Sequence, residues 1–155
     1  MLNTAMKRTL LQTKPYILRD EGEMFQSLGV LVSVKASTEQ TGGAFNLFDA
    51  VCPIDFSTPL HIHYAEDVAM FVLEGTLTFF WGDLKERASR GSFFFQPRGT
   101  PHGFRVGGDA PARILYMTVP AGFDQLVLEG VASTRDLKVT EVARHKIEVL
   151  GPLPE

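Results

Sequence analysis

Apolar residues along this chain recur mostly with a period of two, in short runs interrupted by Gly and Pro. That period sends successive side chains to opposite faces and marks strands that bury one face. It predicts strands at 16–18, 28–36, 45–52, 68–73, 76–81, 84–88, 93–96, 102–106 and 113–119, with a further short strand opened by Pro59. The polar stretches 20–23 and 37–43 are read as a turn and a loop, Gly42 and Gly43 giving the loop its backbone freedom. Gly82-Asp83 and Gly107-Gly108-Asp109 read as turns between strands.

Helical spacing appears only late. Phe123, Leu126 and Val127 share one helical face, and Leu137, Val139, Val142 and Ala143 another, so helices are predicted at 123–128 and 136–144 before 147–150 returns as strand. Residues 1–18 carry too weak a pattern to fold alone and are read as an arm. Many short strands punctuated by turns predict an all-β sandwich or barrel. No repeat interrupts the pattern. The expected organisation is a single domain: the arm at 1–18, a β core at 19–120, and a helical segment and tail at 121–155 packed on that core.

Composition narrows the picture. A chain of 155 residues suits one domain with a real core. Its 12 Phe against 3 Tyr and 1 Trp point to apolar aromatic surface in that core or in a cavity. A net charge of −3 offers nothing to nucleic acid or an anionic membrane, so neither is expected as a partner. The single cysteine, Cys52, excludes an intrachain disulfide framework and sits in a predicted strand as a small buried hydrophobe. After Lys7-Arg8 the apolar stretch is too short for a signal peptide, and no apolar run approaches the ~18 residues of a membrane span. A cytoplasmic protein is expected.

The chemistry concentrates in two stretches. In His61-Ile62-His63 the imidazoles share one strand face, close enough to chelate a metal. The second stretch runs from Gly91 through Pro97-Arg98-Gly99 to His102. Glu66 shares parity with position 68 and lies about 6.6 Å along the strand from it, so it suits a water-bridged role or one orienting a histidine better than direct ligation. On strand parity, Val68, Met70 and Val72 share one face and Phe104 shares one with His102, which makes them candidates for a binding wall. Tyr116 is a further candidate for the binding wall and for a proton-transferring group.

Together these stretches resemble the two motifs of the cupin family. His61, His63 and Gly75 match the first motif, and Gly91, Pro97, Gly99 and His102 the second. The wider pattern is similar to small single-domain cupins of the quercetin-dioxygenase-like group. The resemblance implies an antiparallel jelly-roll β-barrel with short C-terminal helices and a homodimer with the arm laid across its partner. It also implies a divalent metal (Fe, Mn, Ni, Cu or Zn) held by His61, His63 and His102. Three positions depart from the pattern. Asp55 stands where the first motif opens with Gly, Val106 where the second closes with Asn, and Val68 where many relatives have a metal-binding glutamate. The expected function is a metal-dependent enzyme of dioxygenase type acting on a small organic molecule. The alternative is a ligand-binding cupin, a sensor or carrier that has lost its metal with the glutamate.

Overall fold

The computed structural model describes residues 16–27, 29–128 and 146–155. In chain order its elements are β1 (Glu23–Ser27), β2 (Val30–Ala36), α1 (Thr38–Thr41), β3 (Asn46–Cys52), β4 (Leu60–His63), β5 (Asp67–Glu74), β6 (Thr76–Trp81), β7 (Leu84–Ser89), β8 (Phe93–Gln96), β9 (His102–Gly107), β10 (Ala112–Val119), α2 (Phe123–Leu128) and β11 (Ile147–Gly151). Six strands form one antiparallel sheet in the order β1-β2-β3-β10-β5-β8, and five form another in the order β11-β4-β9-β6-β7.

The expected closed barrel is corrected to two facing sheets. Each keeps its own edge strands, β1 and β8 in one and β11 and β7 in the other, with no ladder joining them among the described residues. The helices are few and short. None among the described residues is long and apolar enough to cross a membrane. The arm, apart from residues 16–18, lies outside the described residues, as do the predicted helix at 136–144 and His145.

Three local readings differ as well. Residues 16–18 form no strand, and a strand starts at Glu23, where the polar turn was expected to end. β1 is an edge strand with Met24 about half exposed, so only one neighbour and little burial shape its sequence. The loop expected at 37–43 contains α1, because Ser37 and Gln40 form a reciprocal capping box and Gly42 closes the turn in the left-handed region.

The core lies between the sheets. On the inner face of the larger one, ladder register aligns Val34, Phe48, Tyr116, Met70 and Phe94 in one row across five strands. The next row is Asn46, Thr118, Val68 and Gln96. Leu77, Phe79, Phe104 and Val106 oppose them from the smaller sheet. Cys52 is fully buried in this cluster, and burial pushes its thiol pKa up to about 12, so it behaves as a hydrophobe. On the outer face of the larger sheet Phe71, Phe93 and Phe95 remain exposed.

Gly75, which ends the first motif, turns the chain between β5 and β6 at φ 82°. A Cβ there would lie 2.7 Å from the Pro111 carbonyl oxygen and 2.8 Å from the Ala112 Cα. Backbone atoms cannot give way as a side-chain tip can. Gly75→Ala is therefore expected to destabilise the fold by about 3 kcal/mol, from left-handed strain plus overlap, measured by urea unfolding. A loss below about 0.5 kcal/mol would refute this account.

Candidate metal centre

β4 and β9 are neighbours in the smaller sheet, and His61 and His102 are direct cross-strand partners. His63 lies two residues beyond His61, on the same face. The strands thus bring the three rings together, with centroids 4.5 Å (His61–His102), 5.1 Å (His61–His63) and 5.4 Å (His63–His102) apart. One nitrogen from each lies within 4.8 Å of those of the other two. His63 and His102 are buried, and His61 is mostly enclosed with an edge left to solvent.

Hydrogen bonding decides which nitrogens are free. His61 Nδ1 lies 2.8 Å from the Pro59 carbonyl oxygen, and His102 Nδ1 lies 2.9 Å from that of Thr100. A carbonyl can only accept, so both Nδ1 atoms carry the proton and both Nε2 atoms keep a lone pair. His63 Nδ1 lies 2.6 Å from Glu66 Oε1, and the same logic holds there. Each ring is fixed from behind by an acceptor, which sets its orientation and raises its basicity toward a metal.

Burial, then the neighbouring His102 and His63, holds the His61 pKa down at about 3. Burial, with His63 beside it, holds that of His102 at about 4. At neutral pH both rings are therefore unprotonated. Three converging imidazoles with Nδ1 tethered fit a first-row divalent metal.

Glu66 sits in the turn between β4 and β5 and is buried. Its carboxylate points to the back of His63, so it orients a ring. Val68 is fully buried on β5, opposite Gln96 and Thr118. Met70, Val72 and Phe104 are core residues, Phe104 packing on Phe56. Tyr116 is brought to the centre: its hydroxyl lies 3.4 Å from His63 Nε2, and burial raises its pKa far above the ordinary phenol value, so it stays a neutral donor. Asp67, which begins β5, pairs with Arg98 through the backbone N–H and the guanidinium, tying β5 to the turn that precedes His102.

Sequence reasoning left two aromatic residues of the centre unassigned. Phe123 of α2 lies 5.5 Å, ring to ring, from His63, and Phe48 of β3 packs on both Phe123 and Tyr116. Helical spacing marked Phe123 as apolar, but its direction depends on a long-range staple. The Asn46 side-chain oxygen accepts from the backbone N–H groups of Gly122 and Asp124, while Asp124 accepts from Thr38. Asp55 has φ 62°, a region that Gly enters freely and Asp tolerates, so Asp can stand where the motif opens with Gly.

Two antiparallel sheets bring three histidines together into a group that could hold a metal ion. Residues 51–118 match the family model of the cupin domain. An uncharacterised protein of Methanocaldococcus jannaschii is 29% identical over 110 residues, covering 69% of this chain and 80% of that one. Among solved structures, the polyketide cyclase RemF of Streptomyces resistomycificus is 25% identical, with a TM-score of 0.57, over 66% of this chain and 77% of that one. Pac13 of Streptomyces, a nucleoside dehydratase, is 11% identical with a TM-score of 0.60, over 92% of this chain and 95% of its own. That last likeness speaks to the fold alone.

Proposed function

We propose that this protein is a metal-dependent enzyme acting on a small, largely apolar organic molecule beside the three histidines. The observation that carries the reading is the set of three Nε2 lone pairs, each presented by a ring whose Nδ1–H is already satisfied. A divalent metal bound there would supply Lewis acidity and, if redox-active, dioxygen chemistry. The residues of the chain do the rest. His61 and His102 hold their lone pairs free of protons, and Glu66 fixes His63. Phe123 and Tyr116, backed by the buried Phe48, set apolar aromatic surface beside His63, their rings tilted or edge-on to one another.

The dioxygenase type is the form the resemblance implies. Its test is oxygen uptake by iron-, manganese-, nickel- and copper-loaded protein against a panel of small aromatic compounds. A substrate consumed with matching oxygen uptake supports it. A second reading, non-oxidative proton transfer as in an elimination or cyclisation, is favoured by Tyr116. With His63 Nε2 engaged as a ligand, the Tyr116 hydroxyl 3.4 Å away would be free to donate to a bound molecule. Turnover without oxygen uptake would select this reading. Tight ligand binding by a metal-free protein, without turnover, would select the sensor or carrier.

Glu66 acts through His63 and is a positioning residue. Glu66→Ala leaves a buried Nδ1–H unpaired and frees the ring to rotate. The expected result is metal binding weaker by roughly 10- to 100-fold, followed by competition with a chromophoric chelator, with partial recovery in Glu66→Gln. Unchanged affinity in the Ala variant would show that the hydrogen bond does not position the ring.

A further inference from the structure

Buried polar groups around the centre have partners, with one conspicuous exception. His63 has Glu66, and Asn46, Thr118 and Asp124 form a connected network. Gln96 is 1% exposed, yet among the described residues neither its Oε1 nor its Nε2 has a hydrogen-bond partner. Folded proteins seldom leave an amide buried in this way, because it gives up its bonds to water for nothing. A leucine at that position would pack the core without the penalty.

Register shows where this amide sits. Gln96 is the direct ladder partner of Val68, in the inner row beside the one that carries Tyr116. It lies on the same face as Phe94, two residues back, whose ring stacks on Phe79 in the core. The turn that follows is clamped to the centre, since the Gly99 N–H donates to the His63 carbonyl at 2.7 Å. Val68 is the position at which the resemblance expects a carboxylate ligand, and its apolar side chain offers no oxygen to a metal. Directly opposed residues have Cβ atoms roughly 5 Å apart. Glutamine has the length of glutamate and a carbonyl oxygen that can bind a divalent cation.

We propose that Gln96 is the fourth protein ligand of the histidine centre, its Oε1 serving from the neighbouring strand in place of the carboxylate missing at position 68. The inference rests on the three-histidine reading and adds to it. It gives the metal an all-neutral ligand set and leaves Nε2 free to donate to a molecule bound beside it. No distance to the metal is implied beyond what register sets.

The test is cobalt(II) and zinc(II) titration of the full chain, for wild type, Gln96→Leu and Gln96→Glu. Each is read by chelator competition and by the visible absorption of cobalt, which reports coordination number. Gln96→Leu is expected to bind at least about 10-fold more weakly with an altered cobalt spectrum, and its metal-free form to melt a few degrees higher because the unpaired amide is gone. Gln96→Glu, which adds a charge at the same reach, is expected to bind more tightly. This second variant keeps the test decisive should Gln96→Leu fail to fold. Wild-type affinity and spectrum in either variant overturn the proposal while leaving the three histidines intact. A wild type that takes up no metal fails the three-histidine reading itself, and this proposal with it.

Discussion

His61→Ala combined with His102→Ala should empty the centre. Protein purified without an affinity metal is expected to hold close to one divalent ion per chain in the wild type and only background in the double variant, by elemental mass spectrometry. The two residues are cross-strand partners whose rings lie 4.5 Å apart, so the substitution removes two lone pairs from one spot. His63 then remains with its Glu66 tether, and one imidazole binds a divalent ion too weakly to survive purification. The expected loss of affinity is at least about 100-fold, beyond what removing an outer hydrogen bond costs. Strand ladders fix β4 and β9 without these rings, so the far-ultraviolet spectrum should stay that of a β protein. Metal retained at wild-type level would show that the histidines do not hold it. Metal absent from the wild type, even after incubation with each candidate ion, would leave the ligand-binding alternative standing.

The centre was legible in the sequence to the extent that it depends on local parity. A His-x-His pair on a strand shares one face whatever the rest of the chain does, and the glycines of both motifs mark turns that depend only on local backbone. Gly75 and Asp55 both take positive φ. What was not legible depends on register between distant strands. The Tyr116 hydroxyl meets His63 because β10 and β4 lie in opposite sheets that happen to face at that point, and no periodicity within either strand encodes the contact. Phe93-Phe94-Phe95 hides its own parity, since three identical apolar residues give no alternation to read. In the structure Phe93 and Phe95 are more than half exposed while Phe94 packs inward, and only this places Gln96 inside.

Closure of the sheets was misread for a related reason. Alternation fixes which face of a strand is buried but says nothing of whether two edges meet. The helix α1 is different, because Ser37 and Gln40 at capping-box spacing were in plain view inside a stretch taken for loop. Local signals there were present and outweighed by polar composition.

Lowering the pH should destabilise the metal-free protein well before its carboxylates protonate. His61 and His102 have folded-state pKa values of about 3 and about 4, against about 6.5 in an unfolded chain. Above pH 6.5 both states are neutral at these rings and they contribute no pH dependence. Between pH 6.5 and about 4 the unfolded chain takes up protons that the folded one refuses, so stability falls as pH falls. Each ring can cost about 1.4 kcal/mol per pH unit once both states are well separated, so the pair represents several kcal/mol by pH 4. Thermal melts of metal-free protein should therefore show Tm dropping steadily from pH 6.5 to 5, a range in which ordinary carboxylates scarcely titrate. His102→Phe should flatten that slope by about half, because the remaining ring still resists protonation through burial. A bound metal steepens the dependence, since unfolding then releases the ion as well as admitting protons. The depressed values also mean that protons compete poorly for the folded site, so metal should be retained to lower pH than on exposed histidines. A metal-free Tm that stays flat from pH 6.5 to 5 would show that these rings are not buried and neutral, and the case for a preformed metal centre would lose its electrostatic support.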